Sequence, residues 1–391
     1  MSEWKETTLA EIAEIEMGQS PTGETCNASG DGMPLLNGPT EFGIKNPIAV
    51  QYTTDSKREC RPFDILFCVR GSTTGKMNWA DRKYSIGRGL AAIRHKSGVE
   101  YRYFLQGIID YNLELLLSSA TGSTFPNVTR SQIEGVEIKL PSLPVQKSIA
   151  SILSSLDDKI DLLHRQNATL EKIAETLFRQ WFVEEAKEEW ETGKLADEFD
   201  FTMGASPPGE SYNEEGIGIP MYQGNADFGF RFPTNRVFTT DPKRLAEKHD
   251  TLISVRAPVG EQNMANEKCC IGRGVAAFRY KLDNSFYTYT FFKIKSLMDE
   301  IKQFNETGTV FGSISKSDFE NIEIVIPDKI SIQKFQNEAK PIDDKIITNT
   351  IQIRTLTALR DTLLPKLMSG EVKVEMYEDI QRTSRIPAKT A

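Results

Sequence analysis

The chain has 391 residues, of which 39% are hydrophobic and 26% charged, and its formal net charge at pH 7 is −8. This length allows about two to three domains that each bury a core, and the composition is typical of globular proteins. No apolar run approaches the roughly 20 residues needed to cross a bilayer, and the acidic first residues lack the features of a signal peptide. We therefore expect a cytoplasmic protein without membrane contact.

Metal, disulfide and catalytic motifs are not found in the sequence. The five cysteines form no C-x-x-C pair and the three histidines are scattered, which argues against a disulfide framework and a zinc site. There is no Walker A motif, no N-P-P-Y methyltransferase motif and no F-x-G-x-G cofactor loop. The sequence therefore predicts a protein that is not an enzyme and binds no cofactor.

The first predicted domain, residues 1–141, is a mixed α and β domain with many loops. Short apolar stretches at 65–69, 90–93 and 136–140 predict strands between Gly-rich and Pro-rich turns. Residues 100–118 carry apolar side chains at helical spacing and predict one helix.

A long helix is predicted in residues 142–189. Its apolar residues follow alternating steps of four and three, as in a coiled coil. This heptad seam consists of Ile149, Leu153, Leu156, Ile160, Leu163, Asn167, Leu170, Ala174, Leu177 and Trp181. Its 33 residues correspond to a helix about 50 Å long.

The second predicted domain, residues 190–327, repeats the first. Residues 17–21 (MGQSP) return as residues 203–207 (MGASP), an offset of 186, and residues 64–70 match residues 250–256. The IGRG stretch at 86–89 returns at 271–274 after a one-residue deletion. A period this long indicates a duplicated domain with its connector, since solenoid repeats are much shorter.

A second long helix is predicted in residues 328–374, followed by a C-terminal tail, residues 375–391. Its seam contains Phe335, Ala339, Ile342, Ile346, Asn349, Ile353, Leu356, Arg360, Leu363 and Leu367. Pro341 and Arg360 interrupt the apolar pattern, so this helix is expected to bend or to begin late.

The positions of the two asparagines predict how the helices pair. In a parallel, in-register pair each amide would face an aliphatic residue. In an antiparallel pair with aligned ends the paired residue numbers add to 516, and Asn167 and Asn349 then meet and hydrogen-bond. We therefore predict an α+β fold in which two similar mixed α/β domains are joined by two long antiparallel helices with approximate twofold symmetry. Leu156, Ile160, Ile353 and Leu356 are predicted to pair beside the asparagines.

Two basic segments at equivalent positions predict a nucleic-acid interface. Residues 57–102 contain eleven Lys and Arg against four Asp and Glu, and residues 231–281 contain ten against five. A local basic face can bind phosphates on a protein of negative net charge. Ordinary clustering of surface charge is the alternative, and its recurrence in both copies favours a site.

Candidate contacts lie in the turns of these segments. After a predicted strand, Arg70, Ser72 and Lys76 occupy a Gly-rich turn suited to contact with backbone phosphate, and a plain hairpin turn is the alternative. This turn is not a phosphate-binding loop of the Walker type, because its glycine spacing is one residue short. Arg256 repeats Arg70, but Ala257-Pro258 replaces the glycine that follows it.

Arginines between glycines and two divergent loops complete the candidate set. Arg88 and Arg273 each stand between two glycines, which allow close backbone approach, and arginine binds phosphate or guanine. A structural turn with an incidental arginine is the alternative. The loops 37–46 and 223–232 differ between the copies, so different base recognition is expected there. Lys45 and Arg231 are their candidate DNA contacts.

Several stretches together resemble the specificity subunits of Type I restriction-modification systems. Residues 140–146 (LPSLPVQ) and 156–160 (LDDKI) resemble that family's entry into its first central helix, and residues 177–183 (LFRQWFV) resemble the exit. Residues 363–372 (LLPKLMSGEV) resemble the end of the second helix, and residues 64–71 resemble the core strand and turn of a target-recognition domain.

The resemblance implies a non-catalytic subunit that binds double-stranded DNA. Each target-recognition domain would bind one half of a split, asymmetric site, and the helices would set the spacer between the halves. The implied partners are two modification subunits, which methylate adenine with S-adenosylmethionine, and restriction subunits, which cleave DNA with ATP. The alternative is a two-domain coiled-coil scaffold that binds protein or carbohydrate. A nuclease or methylase in its own right would require motifs that are not found.

Overall fold

The computed structural model describes residues 4–118, 126–304 and 312–374, so the predicted tail 375–391 lies outside the described residues. These residues fall into two compact units. The first unit contains the residues up to Asp161 together with those from Thr355 onward, and the second contains Leu162–Arg354. This division passes through both long helices, whereas the boundaries predicted at 141, 189 and 327 treat each helix as a separate segment. Those boundaries stay a prediction.

In its described residues the first unit contains eleven strands, three short α-helices and parts of two long ones. The strands are β1 (Lys5–Thr8), β2 (Ala13–Met17), β3 (Cys26–Asn27), β4 (Met33–Leu36), β5 (Gln51–Thr53), β6 (Glu59–Cys60), β7 (Ile65–Cys68), β8 (Met77–Trp79), β9 (Tyr84–Ile86), β10 (Leu90–His95) and β11 (Glu137–Leu140). The helices are α1 (Arg102–Tyr111), α2 (Leu113–Ser118), α3 (Arg130–Glu134) and the first long helix, α4 (Leu143–Arg179), which ends in a π-helical turn at Gln180–Glu184.

The second unit repeats this series strand for strand. Its strands are β12 (Glu191–Lys194), β13 (Phe199–Met203), β14 (Tyr212–Asn213), β15 (Ile219–Tyr222), β16 (Val237–Thr239), β17 (Leu245–Ala246), β18 (Thr251–Ser254), β19 (Gln262–Met264), β20 (Cys269–Ile271), β21 (Val275–Tyr280) and β22 (Glu323–Ile326). Its helices are α5 (Leu195–Glu198), α6 (Tyr287–Ser296), α7 (Met298–Gln303), α8 (Lys316–Asn321) and the second long helix, α9 (Lys329–Ser369).

The strands of each unit form three sheets with the same topology. In the first unit the orders are β1-β11, β2-β10-β7-β8 and β3-β5-β4-β9-β6. In the second they are β12-β22, β13-β21-β18-β19 and β14-β16-β15-β20-β17. Adding eleven to each strand number of the first unit gives the strand order of the second unit. The repeat detected in the sequence is therefore also a repeat of topology.

The four-stranded sheet is buried on both faces, which explains why its central strands are continuously apolar. Ile65 and Phe67 of β7 face a cluster with α1, and Leu66 and Cys68 face a cluster with the five-stranded sheet. Because side chains alternate along a strand, one apolar run contributes to both cores. Each fully buried apolar side chain contributes roughly 1.5–3 kcal/mol. The second unit has the same arrangement around Leu252 and Ile253 of β18.

The helix predicted over residues 100–118 is two helices. Tyr111 ends α1, and α2 begins at Leu113. Between them the backbone of Asn112 leaves the helical region, with φ −100° and ψ 9°, and its side-chain amide donates to the carbonyl of Ile108 at 2.8 Å. Asparagine competes in this way for backbone partners, so apolar periodicity continues past a point where the helix does not.

Both long helices are continuous, and they pack antiparallel within each unit. In the first unit Ile149 and Leu153 share a core cluster with Leu367 and Met368. The helix α9 begins at Lys329 and includes Pro341, so it does not begin late.

In the second unit the rings of Trp181 and Phe335 lie 6.3 Å apart, as antiparallel pairing with aligned ends predicts. The seam arginine, Arg360, forms an ion pair with Asp157 at 3.1 Å within the first unit.

The two seam asparagines form one buried hydrogen-bonded group within the second unit. Asn349 donates to the side-chain oxygen of Asn167 at 2.9 Å, and Asn167 donates to the hydroxyl of Thr350 at 3.2 Å. Asn167 and Asn349 are fully buried, and the oxygen of Asn349 has no partner among the described residues. This is the contact predicted for an antiparallel helix pair with aligned ends, in which the paired residue numbers add to 516. Leu156, Ile160, Ile353 and Leu356 are half-buried along the same seam.

Two features are absent from the described residues. No described helix is long and apolar enough to cross a membrane. Within the same residues, no group of three or more His, Cys, Asp and Glu side chains is placed to hold a metal ion.

Candidate nucleic-acid interface

Four strand ends converge at one edge of the first unit. Gly18, after β2, donates its N–H to the carbonyl of Leu90, and Gly87, after β9, donates to the carbonyl of Leu36. Val69, after β7, donates to the carbonyl of Gly89 at 2.9 Å. We call residues 17–20, 36–38, 69–70 and 87–89 the first turn cluster. Its position is determined by backbone hydrogen bonds rather than by flexible side chains.

Glycine is required in this cluster because the turns touch backbone to backbone. A Cβ atom on Gly18 would lie 2.1 Å from the carbonyl oxygen of Gly87, and one on Gly89 would lie 2.3 Å from that of Asn37. Real Cβ atoms do not approach so closely, so no other residue fits without a shift of the main chain. The glycines on both sides of Arg88 therefore bring its backbone against two neighbouring turns.

The arginines of the first turn cluster point into solvent. Arg70 and Arg88 are both exposed and lie at the same end of the antiparallel strands β7 and β10. Arg70 donates to the side-chain oxygen of Asn127 at 3.1 Å. Neither arginine forms an ion pair with another described residue, so both charges remain available to an anionic ligand.

Ser72 and Lys76 are exposed in the hairpin turn between β7 and β8. The N–H of Gly75 donates to the carbonyl of Cys68, which closes this turn. Gly71 and Gly75 have φ angles of +91° and +93°, a region that favours glycine. The segment is a tight hairpin, which keeps both side chains at the edge of the sheet.

The second unit builds an equivalent cluster from its own strand ends. We call residues 203–206, 222–224, 255–256 and 272–274 the second turn cluster. Val255 donates to the carbonyl of Gly274 at 2.9 Å, and a Cβ atom on Gly204 would lie 2.1 Å from the carbonyl oxygen of Gly272. Arg256 and Arg273 are exposed, as their counterparts are.

One turn differs between the two clusters. The residue after Arg256 is joined to Pro258 by a cis peptide bond, whereas Gly71 follows Arg70 with a positive φ. Arg256 nevertheless pairs with Ser313 in an isolated bridge, as Arg70 pairs with Asn127. The position of the arginine is thus kept while the turn that follows it changes.

Serine is the member of these clusters that the sequence analysis missed. Ser20 accepts the N–H of Arg88 at 3.3 Å, and Ser206 accepts the Nε–H of Arg273 at 3.1 Å. The signal was present in the repeated M-G-x-S-P motif, which served only to detect the duplication. In the structure this motif holds the arginine turn.

Arg231 is not available to DNA, and the prediction that it contacts DNA is wrong for this structure. Its side chain is 0% exposed and forms ion pairs with Glu171 and with the buried Asp343. Its guanidinium lies 3.8 Å from the centre of the Phe291 ring. Moving this charge to a phosphate would leave Asp343 buried without its partner, which costs several kcal/mol.

Lys45, at the equivalent position, is also engaged by acidic groups. Its ammonium group lies 3.0 Å from Asp158 and 3.6 Å from Asp161, both on α4, and the side chain is 33% exposed. Burial lowers the pKa of Lys45, but the hydrogen bond to Asp158 and the two carboxylate charges outweigh burial and raise it. The structure therefore places Lys45 as a contact between its loop and α4, and its DNA contact stays a prediction.

Some basic residues of each segment are neutralised by an acidic residue of the same segment. Arg94 binds Asp64 through two hydrogen bonds of 2.8 and 2.6 Å, and Arg279 repeats this contact with Asp250. The hydrogen bonding of Arg94 to the carboxylate of Asp64 is the largest cause that raises the pKa of Arg94. The number of basic residues in a segment therefore overstates what it offers to DNA, and the relevant charges are the arginines of the turn clusters, which form no ion pair with a described residue.

Comparison with known proteins identifies the family. The model of the Type I restriction modification DNA specificity domain matches residues 1–172 and 187–353. A putative Type I restriction enzyme MjaX specificity subunit of Methanocaldococcus jannaschii is 33% identical over 268 residues. That match covers 64% of this chain and 62% of the relative, which is less than two thirds of its length.

Two further similarities extend over nearly the whole chain. The Type I restriction enzyme MjaIX specificity subunit of the same organism is 27% identical over 417 residues, which covers 95% of this chain and 94% of the relative. The crystal structure of a Type I restriction-modification system S subunit from M. genitalium has a TM-score of 0.62 at 21% identity, with 93% of this chain and 96% of that one covered. This likeness concerns the fold. The chain belongs to the family of Type I restriction-modification DNA specificity proteins.

Proposed function

We propose that this chain is the non-catalytic DNA-recognition subunit of a Type I restriction-modification complex. Each unit binds one half of a bipartite, asymmetric DNA site, and the two long helices set the spacer and dock two modification subunits. Methylation and cleavage are carried out by the modification and restriction subunits. The complex acts on chromosomal and incoming DNA, so its place is the cytoplasm.

The observation that carries this proposal is the duplicated turn cluster. Two units of one topology each present exposed arginines on turns that are held by backbone contacts. Arginine on a rigid turn suits contact with phosphate and with base edges, and phosphate contacts determine the position of a protein on the duplex. Two such surfaces that differ in detail fit a site with two different halves.

The alternative, a scaffold for protein or carbohydrate, makes a different prediction about salt. Binding to DNA releases counterions, so log K falls linearly with log salt concentration, by about 0.9 for each phosphate that is neutralised. Binding of an uncharged carbohydrate has no such dependence. The salt slope therefore separates the two functions before the target sequence is known.

The test is fluorescence anisotropy with labelled duplex DNA, the full chain and its modification subunits, at several salt concentrations. We expect a steep slope for the wild type. The double variant Arg70→Ala, Arg256→Ala should reduce that slope by about 2. The control Lys5→Ala removes one positive charge from an exposed residue outside both turn clusters and should leave the slope unchanged. A wild-type affinity that does not depend on salt would contradict the proposal.

A further inference from the structure

An amide side chain stands beside the exposed arginine in both turn clusters. Asn37 follows β4 in the first unit, and Gln223 follows β15 at the equivalent position in the second. Both side chains are exposed. The loops that these residues begin diverge in sequence, yet each loop starts with an amide followed by a glycine.

The backbone of each amide residue is held against the arginine turn. A Cβ atom on Gly89 would lie 2.3 Å from the carbonyl oxygen of Asn37, and one on Gly274 would lie 2.1 Å from that of Gln223. The preceding residue of each loop accepts a hydrogen bond of 2.8 Å from the first glycine of the turn. The amide and the arginine therefore have fixed Cα positions at neighbouring points, and only their side chains are free to adapt.

The side-chain chemistry of these positions matches base edges in the major groove. Asparagine and glutamine form two hydrogen bonds with N6 and N7 of adenine, a combination that no other base offers. Arginine binds guanine or a neighbouring phosphate. We propose that Asn37 and Gln223 are specificity-determining residues, each of which recognises one adenine in the half-site of its own unit. This inference rests on the proposed function and names two of the side chains that carry it out.

The two units support their amides differently, which suits half-sites that differ. The amide nitrogen of Asn37 donates to the side-chain oxygen of Gln51 at 2.9 Å, so one of its hydrogens is engaged and one remains. In the second unit Val237 stands at the position of Gln51 and offers no such acceptor. Gln223 also reaches further than Asn37 by one methylene. The same chemical group is thus retained while its reach and its support change.

The experiment selects duplexes from a randomised library with the full chain and its modification subunits, and sequences the pool before and after selection. The wild type should enrich a bipartite motif that contains an adenine in each half. Asn37→Ala should relax the preference at one position of one half by about 5- to 150-fold, the range of one good bidentate contact. Gln223→Ala should relax one position of the other half and leave the first half intact.

Two further variants make the outcome decisive. Asn37→Asp keeps the shape of the side chain but only accepts hydrogen bonds, so preference should move from adenine toward cytosine, whose N4 amino group donates. The control Gln303→Ala removes an exposed amide at the end of α7, outside both turn clusters and both long helices. This control should retain the full motif.

The inference is overturned if folded Asn37→Ala and Asn37→Asp proteins both select the wild-type motif with undiminished preference. It is equally overturned if both variants weaken binding uniformly at all positions, because the amide would then only support the turn. Failure of the proposed function looks different. In that case the wild type itself enriches no motif.

Discussion

Replacement of the two buried asparagines of the long helices should change stability in a strongly non-additive way. Asn349 donates to Asn167, and Asn167 donates to Thr350. Leucine at position 167 alone would leave the amide of Asn349 buried without a partner, and leucine at position 349 alone would remove the donor to Asn167. An unsatisfied buried polar group costs about 1–3 kcal/mol, so each single variant should lose that amount of unfolding free energy.

The double variant Asn167→Leu, Asn349→Leu should be at least as stable as the wild type. It removes both amides together, including the side-chain oxygen of Asn349, which already lacks a partner among the described residues. Apolar replacement of a complete buried polar group is often neutral or stabilising. The coupling energy between the two sites should therefore be about 2 kcal/mol or more, within the range found for residues in contact.

Urea unfolding followed by tryptophan fluorescence measures these energies, and Asn337→Leu serves as the matched control. Asn337 is an exposed asparagine on the same helix, so its replacement should change stability by less than about 0.5 kcal/mol. The reasoning is refuted if either single variant is as stable as the wild type. It is also refuted if the double variant is less stable than both single variants.

Three further predictions concern a buried ion pair, a close backbone contact and a buried carboxyl. Arg231→Met should destabilise the protein by about 3–5 kcal/mol, because Asp343 is left as an uncompensated buried charge; a change below 1 kcal/mol in urea unfolding would contradict this. Gly18→Ala should lower the free energy of unfolding by about 1–3 kcal/mol and weaken DNA binding. Gly23→Ala, where a Cβ atom meets nothing within 4 Å, should change neither quantity, and urea unfolding and fluorescence anisotropy measure both. Burial raises the pKa of Glu198 from 4.5 to about 7, so its contribution to stability is fully present below pH 4.5, where the unfolded chain is also protonated, and is lost as the pH rises through about 7. Relative to Glu198→Gln, the wild type should lose about 3 kcal/mol of unfolding free energy across that range, and parallel curves in urea unfolding at each pH would refute the assignment.

Features that depend on periodicity could be predicted from the sequence. The duplication, the antiparallel helix pair and the contact of Asn167 with Asn349 all follow from regular spacing. A heptad seam and a constant offset are visible in the linear sequence without knowledge of the tertiary structure. The α+β class follows from short strands alternating with helical stretches. In each case local sequence and tertiary packing favour the same outcome.

Features that depend on packing between distant segments could not be predicted. The sequence around Arg231 is typical of an exposed loop. Its burial depends on contacts with Asp343 and the Phe291 ring, which are distant in the sequence. Ser20 acquires its role through a turn 68 residues away. The break at Asn112 depends on a side-chain hydrogen bond that competes with the helix, which apolar spacing does not reveal.

Mapping of N6-methyladenine across the genome tests the central claim most directly. Cells that carry this chain with its modification subunits would be compared with cells that lack only this chain. We predict a new methylated motif made of two short specific parts around a fixed spacer, present only with the chain. Unchanged methylation in the presence of demonstrably active modification subunits would contradict the account and favour the scaffold.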